Sequence, residues 1–358
     1  MQEYDCVRKI KGTDGQFGTV EEGVRAMLER FPAGKILFVS DRSSPSVFKS
    51  VSLLPRALFA VLTGEGALSL FALPCDVRCV IAAGGKEVLT ASRVYASIMG
   101  VPSLLFPTDA CAFGCFERAA EPRLGGINGR IELNESEVRC DLRLMRASMG
   151  RALAGLYLSR LALFEHRALS LMKRQEKHPA YEQLFALLSR PAASEEEIVQ
   201  KNLALRKAEA DGLFAGEGRA LAAARKARGD ACSEWHAFLE LSALYAAVLK
   251  KGKPRRYFTP DYAARFERAG LGEEGYCTAE IPTTAQYALR AIALERARGE
   301  LLNELNGILQ KRGACSERLR RYVPCDLTVP PSDALKCLPE WEPRGLTAIF
   351  RDFGLMEF

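Results

Sequence analysis

The sequence predicts an α/β N-terminal domain built on a parallel sheet, followed by an all-α C-terminal domain. Three observations carry this. Short uncharged apolar runs alternate with amphipathic segments up to Asp141, as in a sheet whose strands are buried on both faces. A Gly84-Gly85 pair separates a strand pattern, Val80-Ile-Ala-Ala83, from a helix pattern, Lys86 to Ala96. Beyond Asp141 strand-like runs nearly vanish, and Ala, Leu, Glu, Arg and Lys dominate.

In chain order, Lys35-Ile-Leu-Phe-Val-Ser40 reads as a buried parallel strand ending at Asp41. Ser43-Ser-Pro-Ser46 supplies helix-start chemistry, and the pattern from there to Leu62 reads as helical. Ala67-Leu-Ser-Leu-Phe-Ala72 is a further strand candidate. The stretch Val80 to Thr108 is the organising unit: strand, glycine turn, helix, then a second buried strand ending at Pro107-Thr108. A strand that stops at glycine and feeds a helix leaves backbone N–H groups pointing out of a helix N-terminus, a ready phosphate site. Gly125-Gly126 and Gly129 punctuate a hairpin that includes Arg130-Ile-Glu-Leu133.

In the second half, Ala147 to Lys173 predicts a long helix with apolar residues on more than one face, hence largely buried. Pro179 and Pro191 punctuate the stretch after it. Ser194-Glu-Glu-Glu197 is a helix start with acid in its first turn, and helical pattern runs from there to Arg228. A further helix covers Ser233 to Lys250. Lys250-Lys-Gly-Lys-Pro-Arg-Arg256 is either a solvated turn or a patch for an acidic ligand. Thr283 to Lys311 is amphipathic, with Leu289, Ile292, Leu301, Leu305 and Ile308 near one face. The tail, Val323 to Phe358, reads as irregular structure and short helices. The domain change is placed between residues 145 and 146, giving segments 1–145 and 146–358.

The chain has 358 residues, enough for two cores, with 48% hydrophobic and 26% charged residues. A net charge of +6 from 50 basic and 44 acidic residues is mixed along the chain. It suits a small anionic or nucleotide ligand and gives no footprint for nucleic acid. No signal sequence and no membrane span is read, so the expectation is a cytoplasmic protein with its eleven cysteines reduced and mostly buried. The pairs Cys75/Cys79 and Cys111/Cys115 have no histidine nearby in sequence, so a cysteine metal site is not expected. His166 and His178, flanked by charge, are read as surface residues.

The order Asp41 after a strand, Gly84-Gly85 before a helix, Arg93 within it, Pro107-Thr108 after the next strand and Asp141 before a helical half resembles one superfamily. It is that of dehydroquinate synthases, iron-containing alcohol dehydrogenases and sn-glycerol-1-phosphate dehydrogenases. Arg93, Tyr95 and the shape of the Ala147–Leu169 helix are most similar to the last of these. The resemblance implies a Rossmann-like, dehydroquinate synthase-like fold, with NAD and a catalytic metal meeting in an interdomain cleft, and a homodimer. It also implies cofactor contacts from Asp41, Gly84, Gly85, Lys86 and Thr108, with Asp41 accepting from a ribose hydroxyl. The alternative for Asp41 is a turn or helix-cap acid.

The signature is altered. The family pattern is close to Gly-Gly-Gly-Ser-x-x-Asp-x-x-Lys. Here Lys86 stands for the third glycine, Glu87 for the hydroxyl residue and Thr90 for the acid. The metal positions depart further. Arg151 falls where the family's first acid sits, Gly155 one turn on, and Glu217, in Phe214-Ala-Gly-Glu-Gly-Arg-Ala220, where a histidine is expected. Only His236, in Trp235-His236-Ala237, matches. A guanidinium repels a divalent cation, and one imidazole with one carboxylate is too few donors for zinc or iron. The expectation is therefore NAD(P) binding with no metal of the family type, and Arg151 and His236 as candidate catalytic residues. Arg151 would take an anion directly. His236 is either a cleft residue facing the ligand or a partly buried helix histidine. Two readings stay open: an NAD(P)-dependent oxidoreductase, or a pseudoenzyme acting as a binding or regulatory module.

Overall fold

The structure, a computed structural model, describes residues 17–41, 45–51, 54–62, 70, 76–121, 123–124, 127–172, 176–213, 216–251, 283–323, 326–328, 346–353 and 355. The chain folds as two compact units. One comprises Met1–Ala152 with Ala192–Gly212, the other Leu153–Pro191 with Leu213–Phe358.

The first unit is built on a parallel five-stranded sheet. Its strands are β1 (Lys35–Asp41), β2 (Ala57–Leu62), β3 (Val77–Gly84), β4 (Ser103–Pro107) and β5 (Glu137–Val138), in the order β2-β1-β3-β4-β5. Helix α1 (Val20–Arg30) and a 3₁₀ turn (Pro45–Val51) precede and follow β1. Thr19 caps α1 in a capping box with Glu22. Alternate strand residues Ile36, Phe38, Cys79, Ile81, Ala83, Leu104 and Phe106 form one core with Val20, Val24 and Met27 of α1 and Phe48. Their alternates Leu37, Val39, Val80, Ala82 and Leu105 are also buried. Burial on both faces is why these runs carry no polar alternation. Helix α2 (Lys86–Met99) packs on β3, β4 and β1. It ends at Gly100, whose left-handed φ of 65° closes the turn into β4.

One segment departs from expectation. The helical pattern to Leu62 gives way after the 3₁₀ turn, and Ala57–Leu62 is the edge strand β2, paired in register with β1. Pro55 breaks the helical reading, and a six-residue apolar run is ambiguous in period until a partner strand is present. The expected strand Ala67–Ala72 lies outside the described residues except for Leu70, which is buried. The expected hairpin is present: Arg123–Leu124 pairs with Ile127–Asn128, and Ala119–Ala120 pairs with Ile131–Glu132. Asp141 caps the short helix α3 (Leu142–Met145), accepts from Val20 N at 3.2 Å and pairs with Arg143 at 2.6 Å.

Helix α4 (Met149–Leu171) is the expected long buried helix. Then come α5 (Tyr181–Ser189), α6 (Glu195–Ala210), α7 (Glu217–Ala227), α8 (Ser233–Lys251), α9 (Thr284–Gln310), α10 (Arg312–Leu319) and α11 (Leu346–Asp352). The helical stretch expected over 195–228 is divided between α6 and α7, where Gly212 and Gly216 have φ of 98° and 79°. Helix α6 belongs to the first unit. It is fixed there by Asn202, which donates to Ala152 O, by Arg206 over the Phe113 ring at 4.5 Å, and by the Arg118–Asp211 pair.

The second unit holds an aromatic core: Tyr157, Trp235 and Phe238 in one group, Phe164, Tyr245 and Phe350 in another. The α9 stripe is as expected at Leu301, Leu305 and Ile308 and differs in the N-terminal half. Tyr287, Ala291, Leu294, Leu301, Leu305 and Ile308 are buried, while Leu289 and Ile292 are exposed. His166 is buried rather than superficial: its Nε2 accepts from His178 N at 3.0 Å and its ring stacks on Tyr181. Burial, then the charges of His178 and Lys177, push this imidazole below its ordinary pKa. His178 is half-buried, its Nδ1 accepting from Ala180 N. Cys79, Cys111, Cys115, Cys140 and Cys315 are buried free thiols, but Cys232 is disulfide-bonded, so the cysteines are not all reduced. Among the described residues no helix is long and apolar enough to cross a membrane. Of the expected basic loop only Lys250 and Lys251, ending α8, are described.

Candidate ligand-binding site

The strand order places a topological switch point between β1 and β3. The chain leaves β1 for β2 on one side and continues through β3 on the other. In open parallel sheets this is where the carboxyl edge opens into a crevice that takes ligands. Four of the five residues expected to contact a cofactor lie on this edge. Asp41 ends β1, Gly84 ends β3 beside Pro107 of β4, and Gly85 is the N-cap of α2. Thr108 follows β4 and its N–H donates to Gly84 O at 3.0 Å.

The two glycines have different jobs. A Cβ on Gly84 would lie 2.8 Å from Val88 Cβ, so glycine there is required for α2 to pack against its own strand. A Cβ on Gly85 would meet nothing within 4 Å. Gly85 has extended φ and ψ of −79° and −174° and supplies no side-chain cap to α2. It therefore leaves the first N–H groups of the helix accessible, with the positive end of the helix dipole behind them.

The loop after β4 packs against the side of the first turn of this helix. Gly114, at φ 83°, passes so near α2 that a Cβ would sit 2.9 Å from Lys86 O. Lys86 is drawn sideways into a 2.9 Å ion pair with Glu117, which also accepts from Thr90 Oγ1 at 3.2 Å. Its charge is thus shared with Glu117. Glu87 is exposed at the same helix end.

Arg151, in the first turn of α4, pairs with Asp109, the residue after Thr108. Asp109 also accepts from Cys111 N at 3.0 Å. The guanidinium therefore sits next to the β4 end of the carboxyl edge, with its charge balanced by a half-buried carboxylate.

His236 lies in the first turn of α8 in the second unit. Its Nδ1 faces Asp230 Oδ2 at 2.9 Å and its Nε2 faces Asp326 O at 3.1 Å. Burial would raise the Asp230 carboxyl. The bonds from His236, Cys232 N and Arg225 outweigh it and hold Asp230 below its ordinary value. Arg225, buried, completes the group with 2.9 and 2.7 Å bonds to Asp230 and Glu240.

Glu217 is the least expected of the site residues. Gly216 and Gly218 flank it because a Cβ on either would lie 2.5 Å from Ala162 Cβ or 2.4 Å from Leu158 Cδ1. The Gly-Glu-Gly stretch is thus a close crossing of α7 over α4. It brings Glu217 N to Glu165 Oε2 at 2.8 Å. The Tyr245 hydroxyl lies 2.9 Å from Glu165 Oε1 and 2.8 Å from Glu217 Oε2. Thr347 donates to Glu217 through both N and Oγ1. Sequence reading missed Glu165. The available signal was one acid inside Leu161-Ala-Leu-Phe164 and Ala168-Leu169, a helix stretch with no polar face to carry it outward.

At the positions that the resemblance gives to metal ligands, each side chain has partners of its own. Arg151 pairs with Asp109, the His236 ring lies between Asp230 and Asp326 O, and Glu217 is engaged by Tyr245 and Thr347. Among the described residues no group of three or more His, Cys, Asp or Glu could hold one.

Among solved structures, the chain is similar to iron-containing alcohol dehydrogenases. One, from Corynebacterium glutamicum, is 14% identical, with 92% of this chain and 94% of that chain covered and a TM-score of 0.43. A probable glycerol dehydrogenase from Sinorhizobium meliloti is 16% identical, with 86% and 98% covered and a TM-score of 0.46. A sulfoacetaldehyde reductase from Bifidobacterium kashiwanohense, solved with NAD+, is 12% identical, with 91% and 95% covered and a TM-score of 0.45. No family model matches the sequence, nor does any curated protein. At these scores the likenesses decide nothing about the site, which rests on its own geometry.

Proposed function

We propose that this chain binds a nucleotide or a related phosphate-bearing small molecule at the β1/β3 carboxyl edge, as a divergent relative of the superfamily it resembles. The observation that carries the reading is Gly85: an N-cap with no side chain and open space above it, at the switch point of a parallel sheet. A pyrophosphate there would accept from the first N–H groups of α2, and Asp41 at the end of β1 is placed to accept from a ribose hydroxyl. NAD(P) is the ligand class this arrangement suits. The Lys86–Glu117 pair and exposed Glu87 reduce the positive field at the helix start, so affinity is expected to be lower than for an all-glycine turn.

The residues at the metal positions offer no donor set, so the reading ends at binding and assigns no reaction. Fluorescence titration with NADH, repeated with Gly85→Ala, tests it. Saturable binding that the added methyl weakens supports the proposal. No binding of NADH, NADPH or ADP to the folded protein would refute it. Turnover of an alcohol or aldehyde with NAD(P) would instead establish the oxidoreductase reading.

A further inference from the structure

A second cavity lies in the first unit, on the flank of α2. Arg93 exposes only 3% of its surface, yet it has no carboxylate partner among the described residues. Its two terminal nitrogens donate to Gly114 O and Asn134 O, both at 3.1 Å. Its Nε is buried and unbonded among the described residues. A guanidinium stays charged at any ordinary pH, and a buried cation without a counter-charge is costly. Burial pushes its pKa down, against the pull of Cys115 and Glu117.

Arg93 lines a cavity of about 300 Å³ together with residues of the 115–118 loop, the 133–136 segment and the end of α6. The nearest acids are already committed. Glu117 is held by Lys86 and Thr90, and Asp211 by Arg118. What remains uncommitted among the lining charges is Arg93, the exposed Lys207 and the exposed Glu135. The balance is two cations to one carboxylate, with the buried cation at the back. The Cys115 thiol is pushed up by burial and stays neutral.

We infer that this cavity binds a small oxyanion, a phosphate or carboxylate group of a metabolite-sized molecule, with Arg93 as the buried counter-charge and Lys207 at the mouth. The volume exceeds that of a bare phosphate, so the anionic group carries an organic remainder. Arg93 also ties the 109–118 loop to the 133–136 segment through its two carbonyl bonds. Occupancy would therefore rigidify the loop that packs beside the first turn of α2.

The test uses the full-length protein and inorganic phosphate as probe, against chloride at equal ionic strength. Binding is read by calorimetry and by the shift in melting temperature. Both altered residues are exposed, so folding is not at stake. Lys207→Glu should weaken phosphate binding roughly fivefold or more, and Glu135→Gln should strengthen it about two- to threefold. Gly85→Ala bears on the separate phosphate position at the α2 N-terminus, so the two charge variants are compared in both the parent and the Gly85→Ala backgrounds. Opposite signs for Lys207→Glu and Glu135→Gln in both backgrounds support the site. Absence of phosphate binding in the Gly85→Ala background, or phosphate affinity that neither charge variant alters, would overturn it.

Discussion

Replacing Glu165 with Gln tests whether the buried acid pair holds a proton on folding. The Tyr245 hydroxyl has one hydrogen and faces two carboxyl oxygens, at 2.9 and 2.8 Å. One contact is Tyr245 donating; the other needs a hydrogen from a carboxyl group. Burial raises the Glu217 carboxyl too, but it is the better anion of the two, since it accepts from Thr347 N and Oγ1 and feels Arg351. The proton therefore belongs on Glu165, donating to Tyr245, while Tyr245 donates to Glu217. Burial, then the Glu217 charge, push the Glu165 carboxyl up, to about 8. The folded state binds one more proton than the unfolded state between an ordinary carboxylate pKa of 4.5 and that raised value. Stability is greatest below this window and falls as pH rises through it, by at most about 1.4 kcal/mol per pH unit. A glutamine at 165 keeps every bond: its oxygen accepts from Glu217 N and its amide donates to Tyr245. Glu165→Gln should thus change stability little at pH 5 and stabilise the protein progressively from about pH 6 to 8. Denaturant unfolding at fixed pH steps reads this directly. A variant whose pH slope equals that of the parent, or that loses stability at the alkaline end of this range, would refute the proton assignment.

Three further outcomes are expected from the same geometry. Gly85→Asp should raise stability by a few tenths of a kcal/mol, because an acid at an extended N-cap bonds the first turn, and should remove NADH binding; unfolding and fluorescence titration check the two opposite effects. Gly84→Ala should destabilise by about 1–3 kcal/mol, since its methyl would lie 2.8 Å from Val88 Cβ, a cost measurable in thermal unfolding. Arg225→Met should cost about 3 kcal/mol at neutral pH, by taking the buried cation from Glu240 and one of its partners from Asp230, which keeps His236; partial recovery at low pH is the accompanying signature in acid-range denaturation curves.

The sheet was legible wherever a strand is buried on both faces, because an unbroken apolar run such as Ile36–Val39 or Val80–Ala83 has few other solutions. It was illegible at Ala57–Leu62, an edge strand whose register comes only from β1. The α9 stripe was legible at Leu301, Leu305 and Ile308 but not in its first half, because Leu289 and Ile292 are as apolar as the residues that bury, and only the neighbours select the face. Chemistry divided in the same way. Gly85 and Asp41 were visible because a strand–glycine–helix turn advertises itself locally. Glu165 was invisible because its meaning depends on Glu217 and Tyr245, which lie far along the chain.

Sequence alone determined the order of most strands and helices and the glycine turn at the carboxyl edge. These are properties of neighbouring residues, fixed by backbone freedom, apolar period and side-chain charge. Tertiary structure decided where each charge is spent. It gave Arg151 to Asp109, Lys86 to Glu117, both nitrogens of His236 to acceptors, and left Arg93 buried beside a cavity. Electrostatic pairing acts through space, over a few ångströms, between groups whose separation in the chain carries no information about their distance.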